Sequence, residues 1–265
     1  MTVIATIGHL SRDVVGGAAP RPGGPVYYSA RALAHLGADA HAAASCAAAD
    51  RGLLLPRLEA FGLPVTWYES DTTTAYGFHY EGDRRIMRQE SVGEPWTPER
   101  ALEAVGDAGW IHVGALVRTD FPEGTLTALA EGGRRLLVDG QGLVRLPTLG
   151  PLRTDGEIGG VLRRVTILKL NDEEAETLVG SAEPERLRVL GVPEVILTLG
   201  SKGSFVVTEH AVEHVRAKEI GSPIDPTGAG DTLAAGYLTA RSGGAEPVDA
   251  GRFAAEEVAA FLAGP

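Results

Sequence analysis

Short apolar runs punctuate this chain at Val3 to Ile7, Trp110 to Val113, Leu136 to Val138, Val165 to Leu170 and Val195 to Leu199. Runs this short, apolar almost throughout rather than alternating, suit strands buried on both faces. The segments between them are compatible with helices. The rhythm is therefore βαβ, which predicts a mostly parallel sheet covered by helices on both sides. Helical spacing is clearest at Val26, Ala30, Leu33 and Ala34, a run ended by Gly37, and at Leu233, Tyr237 and Leu238, stopped by Ser242, Gly243 and Gly244. Ala254, Val258, Phe261 and Leu262 repeat it near the chain end, where they are expected to close the last face of the sheet.

From Val65 to Glu90 the texture changes. Trp67, Tyr68, Thr72, Thr73, Thr74, Tyr76, Phe78 and Tyr80 favour strands, and Glu81, Gly82 and Asp83 form a turn before Arg84 to Gln89. These residues predict a small antiparallel sheet. Tyr76, Phe78 and Tyr80 alternate onto one sticky face, while Arg84, Arg85 and Arg88 mark a wet or ligand-facing one. With a hairpin-like passage from Val14 to Pro22, the expectation is a single α/β domain over residues 1–265 carrying a small β lid formed by about 13–22 and 65–90. Such a flap closes over a site and excludes water, or serves as a contact between two copies.

In open α/β sheets, ligands gather beyond the carboxyl ends of the strands. Polar residues fall at those ends here. Asp13 follows the first strand in a turn with Ser11 and Arg12, placed to bind a substrate hydroxyl or to close its own turn. Gly23 and Gly24 turn into the helix whose first turn bears Tyr27 and Tyr28. Asp139 and Gln141 follow a later strand, Asn171 and Glu174 the next, and Thr198 with Gly200, Ser201, Lys202 and Gly203 the one after. Three apart at a helix start, Asn171 and Glu174 can order Mg2+ and its waters around phosphates. A capping box explains the same spacing. The turn from Gly200 to Gly203 lets nucleotide phosphate or ribose approach the backbone, or merely joins a hairpin.

The most telling stretch runs from Ile224 to Leu238. Gly228, Ala229 and Gly230 carry almost no side chain at the start of a helix, where unpaired N–H groups point outward and make an anion site. Asp231 lies in its mouth. A carboxylate beside donors that attract negative charge suits phosphoryl transfer to an alcohol: the amides hold the oxygens of the moving group and Asp231 takes the hydroxyl proton. An ordinary glycine turn whose Asp caps the helix is the competing explanation.

Composition narrows the classes. At 265 residues with 44% hydrophobic and 22% charged content, the chain has ample material for a buried core. Its 35 acidic and 24 basic residues give a net charge of −11, which argues against a broad surface for nucleic acid or anionic lipid. Any phosphate must be held locally. Cys46 is the only cysteine, so no internal disulfide forms, and a reducing cytoplasm fits. The opening run lacks a basic leader, and no stretch approaches the roughly 18 apolar residues of a membrane span.

Four landmarks occur in order: Gly8 to Asp13; Gly23 and Gly24 with Leu36 and Gly37 behind them; Asn171, Asp172, Glu173 and Glu174; and Asp225-Pro226-Thr227-Gly228-Ala229-Gly230-Asp231. In these the chain resembles the ribokinase, or PfkB, family of carbohydrate kinases over almost its whole length. The resemblance implies a three-layer α/β/α ribokinase-like sandwich with a β lid, and an ATP-dependent phosphotransferase using Mg2+. By position, Asp231 would be the catalytic base and Gly228, Ala229 and Gly230 the anion hole. Asp13, Gly23 and Gly24 would hold substrate hydroxyls. Asn171 and Glu174 would serve the Mg-phosphate region, with Glu174 reaching Mg2+ through water, and Thr198, Gly200, Lys202 and Gly203 the nucleotide. Asp225 matches a position that helps form a monovalent-cation site in relatives, which raises dependence on K+.

Tyr28 stands where sugar kinases of this family usually place an Asn, which weakens ribose or fructose as substrate. Residues 23–30, 72–76 and 138–142 look more like the short myo-inositol kinase branch. For such a cyclitol, Asp13, Asp139 and Gln141 would meet hydroxyls and Tyr28 would pack on the ring. The expected partner is a small sugar or polyol, with neither nucleic acid nor membrane, and the expected state a monomer or a homodimer through the lid. A ribose, fructose or nucleoside kinase and a non-catalytic nucleotide- or sugar-binding module are the alternatives. A dinucleotide-dependent oxidoreductase is disfavoured, since no Gly-x-Gly-x-x-Gly turn follows the first strand.

Overall fold

A computed structural model of the chain describes residues 2–81, 84–219 and 226–263. Its strands, in chain order, are β1 (Ile4–His9), β2 (Ser11–Val15), β3 (Arg21–Gly23), β4 (Ala40–Cys46), β5 (Val65–Glu69), β6 (Thr74–Glu81) and β7 (Arg84–Ser91). Then follow β8 (Trp110–Gly114), β9 (Arg135–Asp139), β10 (Gly150–Pro151), β11 (Ile167–Asn171), β12 (Glu194–Thr198), β13 (Ser204–Thr208) and β14 (Val212–Val215). The helices are α1 (Pro25–His35), α2 (Ala48–Glu59), α3 (Pro98–Val105), α4 (Glu123–Ala130), α5 (Gln141–Val144), α6 (Asp172–Val179), α7 (Ala229–Ser242) and α8 (Pro247–Ala263).

Among the described residues these strands form two sheets. The larger runs β14-β13-β12-β11-β9-β8-β1-β4-β5, parallel except where β13 and β14 add an antiparallel edge. Helices cover both of its faces, and its interior strands are largely apolar on each. One core joins Ala5, Ile7, Ile111, Val138 and Leu168 to Ala101 of α3, Leu126 of α4 and Ala175 of α6. The opposite core joins Ile4, Trp110, Leu137 and Ile167 to α1, α7 and α8 through Leu33, Tyr237 and Ala254. The predicted α/β/α layering is what folds.

The smaller sheet is ordered β10-β7-β6-β2-β3. Two expectations about it change. Val65–Glu69 pairs parallel with β4 at the edge of the large sheet, so the strand-favouring Trp67 and Tyr68 signal a sheet edge and not the lid. Ser11, Arg12 and Asp13 lie in strand β2 rather than a turn, because β1 ends at His9 and the chain passes straight into the second sheet, where β2 runs parallel to β6 and antiparallel to β3. The alternation at Tyr76 and Phe78 does give a buried face, packed with Leu116, while Arg88 is exposed. The Gly82-Asp83 turn and the side chains of Tyr80, Arg84 and Arg85 fall outside the described residues.

Candidate active site

The start of α7 is built by glycine. Gly228 occupies the N-cap at φ 86°, a left-handed conformation that disfavours a side chain, and no side chain caps the helix. A Cβ at Gly228 would lie 2.4 Å from Cδ1 of Tyr28, so the Tyr28 ring packs directly against this turn. The Ala229 amide donates to the Pro226 carbonyl at 3.0 Å, and Thr232 N–H to Gly228 O at 2.9 Å. Ala229 therefore closes the turn, and the first-turn amides left for an anion are those of Gly230 and Asp231.

Asp231 sits in this mouth, partly buried. Burial and the negative charge of Asp139 push its carboxyl up to about 6, against the pull of Lys169, His112 and Arg145. A base with that affinity for protons is suited to work near neutral pH. The strongest of those pulls comes from Lys169 of β11, a residue sequence reasoning passed over. A Cβ at Gly230 would lie 3.0 Å from its Nζ, so the glycine makes room for the ammonium beside the anion turn. Burial acts to lower the Lys169 pKa, but Asp139, Glu174 and Asp231 outweigh it and the net shift is upward.

Asp139 was expected to hold a substrate hydroxyl. Instead it is fully buried, with Oδ1 2.8 Å from Lys169 Nζ and Oδ2 2.7 Å from Nε2 of His112. Burial alone would raise its carboxyl; Lys169 first and then the hydrogen-bonded His112 overcome that and hold it down at about 2. Gln141, its companion, turns its amide to the Ala115 carbonyl at 3.3 Å.

Asp13 is buried on β2, accepts from Ser11 Oγ at 2.8 Å, and its Oδ2 would lie 2.2 Å from a Cβ on Gly23. Gly24, at φ 96°, crosses His9 O, to which a Cβ would come within 2.5 Å. The paired glycines thus let Asp13 and the β1 end approach the helix start, a packing reason for the motif rather than contact through side chains they lack. Tyr28 feels both Asp13 and Asp231: burial first, then these carboxylates, push its hydroxyl up to about 12. Asp13, Tyr28 and Asp231 therefore share one locality.

Asn171 and Glu174 form the capping box, Asn171 Oδ1 accepting from Glu174 N at 2.7 Å and Glu174 Oε2 from Asn171 N at 3.0 Å. Glu174 is buried, and burial lifts its carboxyl above the ordinary range. The box uses Oε2 and leaves Oε1 outside it. Arg145, at the end of α5 and also unnoticed in the sequence, lies close enough to Asp231 and Glu174 to lower both. Beside this cluster runs a groove of about 640 Å³, lined by Thr198, Gly200, Gly203 and Gly230 and walled by Leu233 and Val258. Lys202 was expected to join them, but its side chain is exposed and its carbonyl accepts from His214 Nε2 at 2.8 Å. Asp225 lies outside the described residues.

A helix start with two unpaired amides, a carboxylate within it and a lysine against it suit a phosphotransferase on an α/β/α scaffold. The sequence profile of the pfkB family carbohydrate kinases matches residues 15–263, so the chain belongs to that family. Solved structures agree. A pyrophosphate-dependent kinase in the ribokinase family, complexed with a pyrophosphate analog and myo-inositol, is 25% identical at a TM-score of 0.83, covering 99% of this chain and 96% of that one. A pyrophosphate-dependent myo-inositol-1 kinase converted by mutation into a myo-inositol-3 kinase is likewise 25% identical at 0.83, covering 99% and 94%. The nucleoside kinase of Burkholderia thailandensis with inosine shares the fold, at 23% identity, a TM-score of 0.75 and coverage of 98% and 91%.

Proposed function

We propose that this kinase phosphorylates a hydroxyl of a small cyclic polyol such as myo-inositol, by in-line transfer from ATP with Asp231 as base. The single observation carrying it is Asp231 itself, a carboxylate with pKa raised to about 6 between an anion turn and Lys169. In this reading Asp13 and Tyr28 hold the acceptor, the Tyr28 ring against an apolar face of the cyclitol and the Asp13 carboxylate on its hydroxyls. Asp231 accepts the proton of the attacking hydroxyl. The amides of Gly230 and Asp231 and the ammonium of Lys169 meet the oxygens of the transferred group as charge spreads over them. Mg2+ fits as a guest of the phosphates rather than of a protein cage: among the described residues no cluster of three His, Cys, Asp or Glu forms, and Glu174 Oε1 is the carboxylate oxygen left to hold it through water. Bound there, it would neutralise phosphate charge.

ATP as donor is supported by the groove, whose Leu233 and Val258 walls suit a nucleoside and offer nothing to a bare diphosphate. A second donor, pyrophosphate, is favoured by the two myo-inositol-linked relatives, both pyrophosphate-dependent. The test is turnover with Mg2+, with and without K+, crossing ATP and pyrophosphate against myo-inositol, ribose, fructose and nucleosides, with products identified by phosphorus NMR. Inositol phosphate formed from ATP is the expected result. Formation from pyrophosphate alone replaces the donor, preference for a furanose replaces the acceptor, and silence throughout shifts the weight to a non-catalytic binding module.

A further inference from the structure

The sheet face beneath α7 is layered. Its lower row, Ile4, Trp110, Leu137 and Ile167, is apolar and belongs to the core under α1, α7 and α8. Two residues further along each of the same strands, toward the carboxyl end, stand Thr6, His112, Asp139 and Lys169. The register sets Thr6 opposite His112 and Asp139 opposite Lys169, with a two-residue step between β8 and β9, where His112 stands opposite Leu137 and its ring reaches up to Asp139. Thr6, His112 and Asp139 are wholly buried. Thr6 Oγ1 lies 3.1 Å from His112 Nδ1, His112 Nε2 2.7 Å from Asp139 Oδ2, and Asp139 Oδ1 2.8 Å from Lys169 Nζ.

A carboxylate only accepts, so the His112 proton facing Asp139 is on Nε2, and in the neutral ring Nδ1 accepts from the Thr6 hydroxyl. Each member thus fixes the orientation of the next. Burying such a row is expensive where an apolar row of the same shape would pack, as it does one level below. Its open end is Lys169 Nζ, against Gly230.

We propose that His112, acting through Asp139, is a positioning residue that aims the Lys169 ammonium at the phosphoryl group carried on the Gly230 turn. This rests on the phosphotransfer reading above. The row does two jobs at once. It stops the flexible lysine stem from swinging away, and it sets a negative charge, Asp139, behind Asp231. The charged and titratable groups acting on Asp231 are Asp139 and Lys169 from the sheet, His112 behind them, and Arg145 from the end of α5.

The experiment compares wild type with His112→Ala, His112→Gln, Asp139→Asn and Lys169→Met, reading kcat, KM, the acid limb of the pH profile, melting temperature and the affinity for inorganic pyrophosphate by calorimetry. His112→Ala should lower kcat roughly ten- to a hundredfold, the range for partners that orient a ligand, with acceptor KM little changed. The amide of His112→Gln still donates to Asp139 and should recover part of it. Asp139→Asn removes one negative neighbour of Asp231, so its acid limb should move to lower pH, which a purely structural loss would not do. Pyrophosphate affinity should fall in Lys169→Met and, less, in His112→Ala. If the wild type turns over no acceptor but these losses of pyrophosphate affinity remain, the polyol reading fails and the positioning role stands. The inference is overturned if His112→Ala, or His112→Gln should the alanine variant not fold, keeps kcat and pyrophosphate affinity within twofold while the limb in Asp139→Asn stays put.

Discussion

At the scale of one residue, Asp231 is the base of the proposed mechanism, and its environment sets the pH at which it would work. Burial and Asp139 lift its carboxyl to about 6. A base acts only when deprotonated, so kcat/KM should rise with pH through about 6 and level above it. That limb reports the free enzyme. Asp231→Asn should abolish the limb and lower kcat by on the order of 10²–10⁴-fold, the usual share of a general base. Donor affinity, read by calorimetry, should survive, because the amides and Lys169 proposed to meet the phosphates are untouched. Near-normal turnover in the Asn variant would remove Asp231 from the role of base.

At the scale of elements, α7 must sit close to both α8 and the strand ends, and small residues permit it. A Cβ on Gly236 would lie 3.1 Å from the backbone Cα of Ala254, so the two helices meet nearly backbone to backbone. Replacing Gly236 by Ala gains up to about 1 kcal/mol of helix propensity and adds one tight contact, which should nearly cancel. Gly236→Val brings a branched side chain, for which overpacking of about 1–3 kcal/mol exceeds the propensity gain. A fall of several degrees in melting temperature is expected, since each kcal/mol moves a chain of this size by about 2–4 °C. An unchanged melting temperature would mean that α8 shifts freely. The helices, the parallel strands and the glycine turn were legible in the sequence because each has a local signature: period, breaker or motif. Lys169 had one too, a lone cation inside the apolar run Ile167 to Leu170, but read as a strand it drew no attention. Arg145 had none. Asp139 was found and misread, for its partners are fixed by the register of β8, β9 and β11, which no single strand encodes. Val65 to Glu69 has the composition of a lid strand, and only pairing with β4 assigns it to the large sheet.

On the scale of the molecule, the site is divided between two sheets and a helix start: Asp13 belongs to the small sheet, Asp139 and Lys169 to the large one, and Asp231 to α7. The chain leaves the large sheet at His9, and comes back past that same residue. His9 Nε2 lies 2.8 Å from the Glu94 carbonyl, its Nδ1 3.5 Å from Asp120, and Gly93 fits against its ring where a Cβ would come within 2.7 Å. Burial opposes protonation of His9, but Asp120 outweighs it and the net shift is upward. One buried residue therefore ties the first crossing to the return after β7, and motion of the small sheet about it would carry Asp13 toward or away from Asp231. The groove proposed for the donor lies elsewhere, between Thr198 to Ser204 and the end of α8, on elements of the large sheet's layer. The two ligands should consequently order different parts of the protein. In amide hydrogen exchange, acceptor alone is expected to slow β2 and β6, whereas donor alone should slow residues 198–204 and 255–262 and leave β2 as it was. Both together should slow β2 further, since a lid that closes over the acceptor excludes water only once the phosphoryl group is in place. Equal protection of β2 by donor alone would show that the small sheet answers to the phosphate rather than to the acceptor, and would take Asp13 out of acceptor recognition.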